Sequence, residues 1–331
     1  MLGRTWLSRV FGSGENPLRW ALPLYTLAGI AVRVHVFYIV FLVAKVLFTL
    51  PQGAAGVGHV AAILAPMFVL VLLHEYGHCI ACRKVGGEAS EIIMWPLGGL
   101  AMCQPPHDWR SNLITTIGGP AVNAILLVPL GVAVWLTTGE WRSAVFNPFD
   151  PAMAFLGVSS SSSVMTWAMI VLVGAHIGNA YLLAFNVLVP MYPMDGGRIL
   201  HNLLWRSMGY HRATDVTALT GLVVAGVLGV VGIVTNQALL IAIAAFGGII
   251  CWQERRNARF SQSGGQDAVI AESQRLAAEE QRERADARKS REAEAKRQEE
   301  IDRILAKISE QGMQSLTKKE RRTLDEASSK R

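Results

Sequence analysis

Long apolar runs, broken by short polar or Pro/Gly-rich stretches, dominate the first 252 positions of the chain. They lie at about Val34–Leu50, closed by Pro51, and at about Val57–Ile80, closed by Arg83 and Lys84. Four more follow at about Leu113–Leu136, Val164–Val189, Val216–Thr235 and Gln237–Trp252. Each approaches the roughly 20 apolar residues that carry a helix across a bilayer, so six spanning helices are predicted. Met94–Ala101 is apolar but too short to span, and its Pro96 and Gly98-Gly99 divide it into two arms. A short re-entrant or β-hairpin loop is expected there. Before the first run, Leu2, Trp6, Leu7, Val10 and Phe11 recur at helical spacing, which fits a short helix on the membrane surface or packed against the body.

Beyond Trp252 the pattern changes abruptly. Residues 1–270 hold 26 Lys, Arg, Asp and Glu, whereas residues 271–331 hold 30. The net charge of +6 is a small difference between large numbers, so no nucleic-acid partner is read from it. The chain divides into a cytosolic or interfacial segment (1–29), a membrane body (30–252) and a charged helical tail (253–331). In the tail, about Asp267–Arg297 is rich in Ala, Glu, Arg, Lys and Gln, as a solvated helix is. Ile301, Ile304, Leu305 and Ile308 then form an i, i+3, i+4, i+7 stripe ended by Gly312. Thr317 and Glu320 resemble a capping box that opens another short helix.

Lys and Arg set the orientation. With six spans and the N-terminus inside, Arg4, Arg9, Arg19, Arg33, Arg83, Lys84, Arg110, Arg198, Arg206 and Arg212 all fall on the cytoplasmic side. The outer loops hold Arg142 alone. This implies a multi-pass protein of the cell (inner) membrane with both termini cytoplasmic. Residues 1–19 lack a short apolar core with a small-residue cleavage site, so no signal peptide is expected. Four cysteines give no disulfide framework; Cys79 and Cys82, at i, i+3, are expected to be small packing residues.

Ionisable groups interrupt the second run: His74-Glu75-Tyr76-Gly77-His78 follows Phe68–Leu73. Such groups cost a few kcal/mol or more at membrane depth and mark function there. Histidines at i and i+4 share a helix face and suit one zinc ion, with the intervening Glu75 placed as general base on an activated water. Catalytic zinc commonly takes three protein ligands. Asp195, at the end of the fourth run between Pro193 and Gly196-Gly197, is the candidate third ligand; its other reading is a helix cap. The topology brings His74, His78 and Asp195 to one depth. His35, where the first run enters the membrane, is either interfacial or a group serving the site.

Three signatures then stand in order: His74-Glu75-Tyr76-Gly77-His78, Gly119-Pro120-Ala121-Val122-Asn123, and Pro193-Met194-Asp195-Gly196-Gly197-Arg198. Together they resemble the site-2 protease family of intramembrane zinc metalloproteases, over about residues 30–252. The resemblance implies one zinc ion per chain held by His74, His78 and Asp195, with Glu75 as catalytic base. It also implies a membrane-protein substrate cut in or near a transmembrane segment. Pro96-Leu97-Gly98-Gly99 resembles a loop of the compact six-span members, here without an inserted PDZ domain or C-terminal nucleotide-sensing pair. Three residues separate Asn186 from Pro190, one more than in the family pattern. Asn123 and Asn179 therefore stand beside Asn186 as candidates for a substrate-binding or oxyanion role. The C-terminal amphipathic pair is similar to an element that follows the membrane domain in some bacterial rhomboid-type proteins, and could dock a cytosolic partner.

The fold expected is an all-α polytopic membrane protein of about six transmembrane helices, with a re-entrant or β-hairpin loop and a helical cytosolic tail. A different class of function is a silent membrane binding protein with a structural metal. An intact Glu75 argues against it, because a structural site needs no base.

Overall fold

A computed structural model of the chain describes residues 20–96, 98–148, 150–262 and 303. The expected surface helix of residues 1–19, the Ile301–Ile308 stripe and the Thr317–Glu320 box lie outside the described residues, as does the long tail helix.

Helices dominate the body, as the apolar runs predict. α1 (Val36–Thr49) and α2 (Gly53–Lys84) are separated by a 3-10 turn at Leu50–Gln52, where Pro51 and Gly53 break the ladder. α3 spans Trp109–Thr138 and α4 spans Ser163–Leu188. The short α5 (Asp195–Met208) precedes α6 (Tyr210–Val234) and α7 (Ala238–Gln262). Among the described residues, five helical stretches are long and apolar enough to cross a membrane; the first, Val36–Lys84, contains both of the first two expected spans. α3 starts at Asp108, whose carboxylate accepts from the N–H groups of Arg110 and Ser111 at 2.9 Å each. The Ser111 hydroxyl, followed by these N–H groups, holds the Asp108 carboxyl below the usual carboxylate range.

Beside the expected helices lies a small four-stranded sheet of order β1-β2-β3-β4. Its second half is the expected hairpin: β3 (Glu88–Trp95) pairs antiparallel with β4 (Gly98–Gln104). Its first half, β1 (Ala21–Leu27) and β2 (Ile30–His35), falls where sequence reasoning placed an interfacial segment and a helix entry. The β1–β2 turn places Ala28 and Gly29 at φ 51° and 72°, the left-handed pair that a tight two-residue hairpin requires. Arg83, at the end of α2, donates to the carbonyls of Ala28, Gly29 and Ala89, and so ties the turn and β3 to that helix. β2 and β3 run parallel, with α1 and α2 as their crossover.

Ile30, Val32, Ala89, Ile92 and Met94 of the sheet pack with Cys79 and Cys82 of α2 into one buried cluster. Both cysteines are thus packing residues, and all four cysteines are free. The sheet therefore lies on the helix turns that carry His74, Glu75 and His78. From the other side α3 crosses α2 at Gly77 and Gly118, where a Cβ on either glycine would come within 2.4 Å of the other's carbonyl oxygen. Only backbone-to-backbone packing fits there, which accounts for the small residues on both helices.

Candidate metal centre

His74 and His78 sit one turn apart on α2, both buried, with ring centroids 4.7 Å apart and Nε2 atoms 3.1 Å apart. Asp195, the first residue of α5, reaches both. Its Oδ2 is 3.1 Å from His74 Nε2 and its Oδ1 is 3.4 Å from His78 Nε2. Among the described residues, His74, His78 and Asp195 form the group of three candidate ligands whose atoms lie within 4.8 Å of one another. Burial alone would raise the Asp195 carboxyl, but the two imidazoles against it outweigh burial and hold it below the ordinary carboxylate value.

The chemistry of this donor set fits a cation. His78 Nδ1 lies 2.9 Å from the Thr115 carbonyl, which can only accept, so the neutral ring carries its hydrogen on Nδ1. The Gly119 N–H also approaches His78 Nδ1, but at 3.3 Å, and its own i−4 helix acceptor is that same Thr115 carbonyl. The shorter contact decides. His74 Nδ1 lies 2.5 Å from Asn123 Oδ1, another acceptor. Both Nε2 lone pairs therefore face each other and a carboxylate, an array of acceptors that a divalent ion satisfies. Space is kept for it: a Cβ on Gly119 would lie 2.3 Å from His78 Nε2 and 2.7 Å from His74 Nε2.

Glu75 is buried at 7% exposure beneath β4. Its Oε2 accepts the Ala101 N–H at 2.9 Å, and a Cβ on Gly99 would lie 2.7 Å from its Oε1. The hairpin expected as a loop is thus laid directly on the expected base.

The three asparagines part company. Asn123 and Asn179 are fully buried and bonded to each other, Asn123 Nδ2 to Asn179 Oδ1 at 2.7 Å and Asn179 Nδ2 to the Asn123 carbonyl at 2.8 Å. Asn186, half-buried in the last turn of α4, makes no side-chain hydrogen bond among the described residues. His35 is fully buried and is not one of the three candidate ligands. It caps α1, accepting from the Phe37 N–H at 3.1 Å, and stacks on Trp95 at the hairpin tip with ring centroids 3.7 Å apart. His176 bonds the Ala144 carbonyl at 3.0 Å and does not join the three ligands.

Residues 62–231, just over half of the chain, match the profile of peptidase family M50. The chain belongs to peptidase family M50. This is the family expected from the three motifs, and the chain is a multi-pass membrane protein of the site-2 protease-like zinc metalloprotease family. Residues 288–330 match a family of unknown function (DUF6576). The chain is 27% identical over 230 residues to the zinc metalloprotease MJ0392 of Methanocaldococcus jannaschii, covering 69% of this chain and 59% of that one. It is 31% identical over 228 residues to the putative zinc metalloprotease Rip3 of Mycobacterium tuberculosis, covering 65% and 52%. The match thus spans between half and three-fifths of those relatives' length. Among solved structures, the site-2 protease from Methanocaldococcus jannaschii is similar with a TM-score of 0.48 and 24% identity, covering 71% of this chain and 95% of that one.

Proposed function

We propose that this family M50 member is an intramembrane zinc metalloendopeptidase that hydrolyses a peptide bond in or near a transmembrane segment of a membrane-bound substrate. The observation that carries the reading is the convergence of His74, His78 and Asp195 beside Glu75 on a helix long and apolar enough to span. One zinc ion per chain is the expected cofactor. When bound, it supplies a Lewis acid and a water of lowered pKa.

The residues divide the remaining work. Ala101 fixes Glu75 by its bond to Oε2, which leaves Oε1 to take the proton of the attacking water and pass it to the leaving amine. β4 is an edge strand, and the edge it presents to α2 is the one that meets Glu75. An unwound substrate segment added along that edge brings its peptide bonds alongside the carboxylate. Unwinding is required because helical peptide bonds are shielded and internally bonded. Asn186, with its amide uncommitted, is the asparagine left to bind substrate backbone or the developing oxyanion. The Lys and Arg distribution supports a cell (inner) membrane protein with both termini cytoplasmic, and the tail offers a surface for a cytosolic partner.

The test compares Glu75→Gln and Asn186→Ala with the parent for zinc content and for cleavage of a transmembrane substrate. Both variants should keep zinc. Glu75→Gln should abolish cleavage, and Asn186→Ala should lower kcat about 10²-fold, the usual cost of one oxyanion donor. Cleavage retained by Glu75→Gln would refute the base assignment; an unchanged kcat in Asn186→Ala would refute the substrate role.

A further inference from the structure

Zinc binding at this site needs more than two well-placed histidines. Each ring must carry its hydrogen on Nδ1, so that Nε2 offers a lone pair. For His78 the Thr115 carbonyl imposes this directly. For His74 the partner is a side-chain amide, and an amide can present either its oxygen or its NH2. Something must decide which way Asn123 points.

The decision is made one helix further away. The main-chain carbonyl of Asn123 can only accept, so the Asn179 group 2.8 Å from it must be the Nδ2 donor. That turns Asn179 Oδ1 toward the Asn123 amide, which must answer with Nδ2, at 2.7 Å. Asn123 Oδ1 is then the atom left for His74 Nδ1. A backbone carbonyl thus fixes Asn179, Asn179 fixes Asn123, and Asn123 fixes the His74 tautomer. Both amides are fully buried, so no solvent competes for these bonds.

We propose that Asn179 is a positioning residue for the metal site: acting through Asn123, it holds the hydrogen of His74 on Nδ1 and the lone pair of Nε2 toward His78 and Asp195. This rests on the reading that those three residues bind the metal. Without a polar group at 179, Asn123 is free to turn its NH2 toward His74. The ring then carries its hydrogen on Nε2, where it points a donor at the metal position. Partners that orient a ligating histidine are worth about 10- to 100-fold in metal affinity.

The test is the zinc affinity of the full-length protein in detergent, by competition with a chelator, for the parent, Asn179→Leu and Asn179→Asp. Both substitutions nearly preserve shape. Asp, ionised or not, still accepts from Asn123 Nδ2 and keeps the relay's direction; Leu does not. The expected result is zinc affinity within about 3-fold of the parent for Asn179→Asp and about 10- to 100-fold weaker for Asn179→Leu. Thermal stability of the zinc-free proteins should rank the other way, because a buried acid costs more than a buried Leu. A purely structural Asn179 would make the two rankings agree. Equal affinities for the two variants, or a Leu variant that matches the parent, would overturn the relay. A parent that binds no zinc would instead remove the metal reading beneath it. If neither variant folds, 15N-histidine NMR of the zinc-free parent decides: His74 protonated on Nδ1 supports the relay, and on Nε2 overturns it.

Discussion

Gly99→Ala is the substitution that most sharply probes how β4 and the base fit together. A Cβ at this position would lie 2.2 Å from Glu75 Cγ and 2.7 Å from both Cδ and Oε1, whereas ordinary van der Waals contact begins near 3.4 Å. Either β4 or the carboxylate must therefore retreat by more than 1 Å. Retreat of either lengthens the 2.9 Å bond from the Ala101 N–H to Oε2. A misplacement of about 1 Å at a reacting group costs on the order of 10²-fold in rate, or about 2.7 kcal/mol of barrier. The zinc ligands are not touched by this methyl group, so metal content should be unchanged. The assay is single-turnover cleavage, in detergent, of a transmembrane substrate that the parent cuts and Glu75→Gln does not, with zinc measured on the same preparation. A Gly99→Ala enzyme that cleaves at the parental rate with normal zinc would refute the placement of β4 on the base.

Two further outcomes follow from the same structure. Gly119→Ala would put a methyl group 2.3 Å from His78 Nε2 and 2.7 Å from His74 Nε2, so zinc should be lost although no ligand is changed; full zinc occupancy in this variant would contradict the site. His201, on α5, is buried, and burial holds its imidazole below the ordinary histidine value. Between that lowered value and about 6.5 the unfolded chain binds more protons than the folded one, so stability rises with pH and falls on acidification through about 6.5. His201→Gln should flatten the slope of Tm against pH below about 6.5; an unaltered slope would show that His201 contributes no linkage.

The parts legible in the sequence are those whose signal is local. Helices announce themselves by apolar length, and His74, Glu75 and His78 by their helical spacing. Asp195 could be paired with them because orientation rules put both ends at one depth. β1 and β2 were not legible. The alternation that puts Ile30 and Val32 inside and Arg33 outward lasts six residues and runs without a break into the apolar α1. For His35 the sequence left an interfacial and a site-serving reading open, because the ring it stacks on, Trp95, is 60 positions away. The hydrogen bonding of the asparagines was hidden for a related reason. Asn123 and Asn179 are 56 residues apart, and the helix packing that joins them is what commits both amides and leaves Asn186 uncommitted. Apolar runs give no sign of which faces meet. The glycines at 77 and 118 are the exception, since small residues mark close helix approach without naming the partner.

The metal site proposed for this protein draws two ligands from α2 and the third from α5. The most direct measurement is the zinc content of the detergent-purified protein beside that of Asp195→Ala. Near one zinc per chain in the parent, lost in the variant, is the predicted result. Zinc retained undiminished by Asp195→Ala would contradict it, because the third ligand would then have to be a residue other than Asp195.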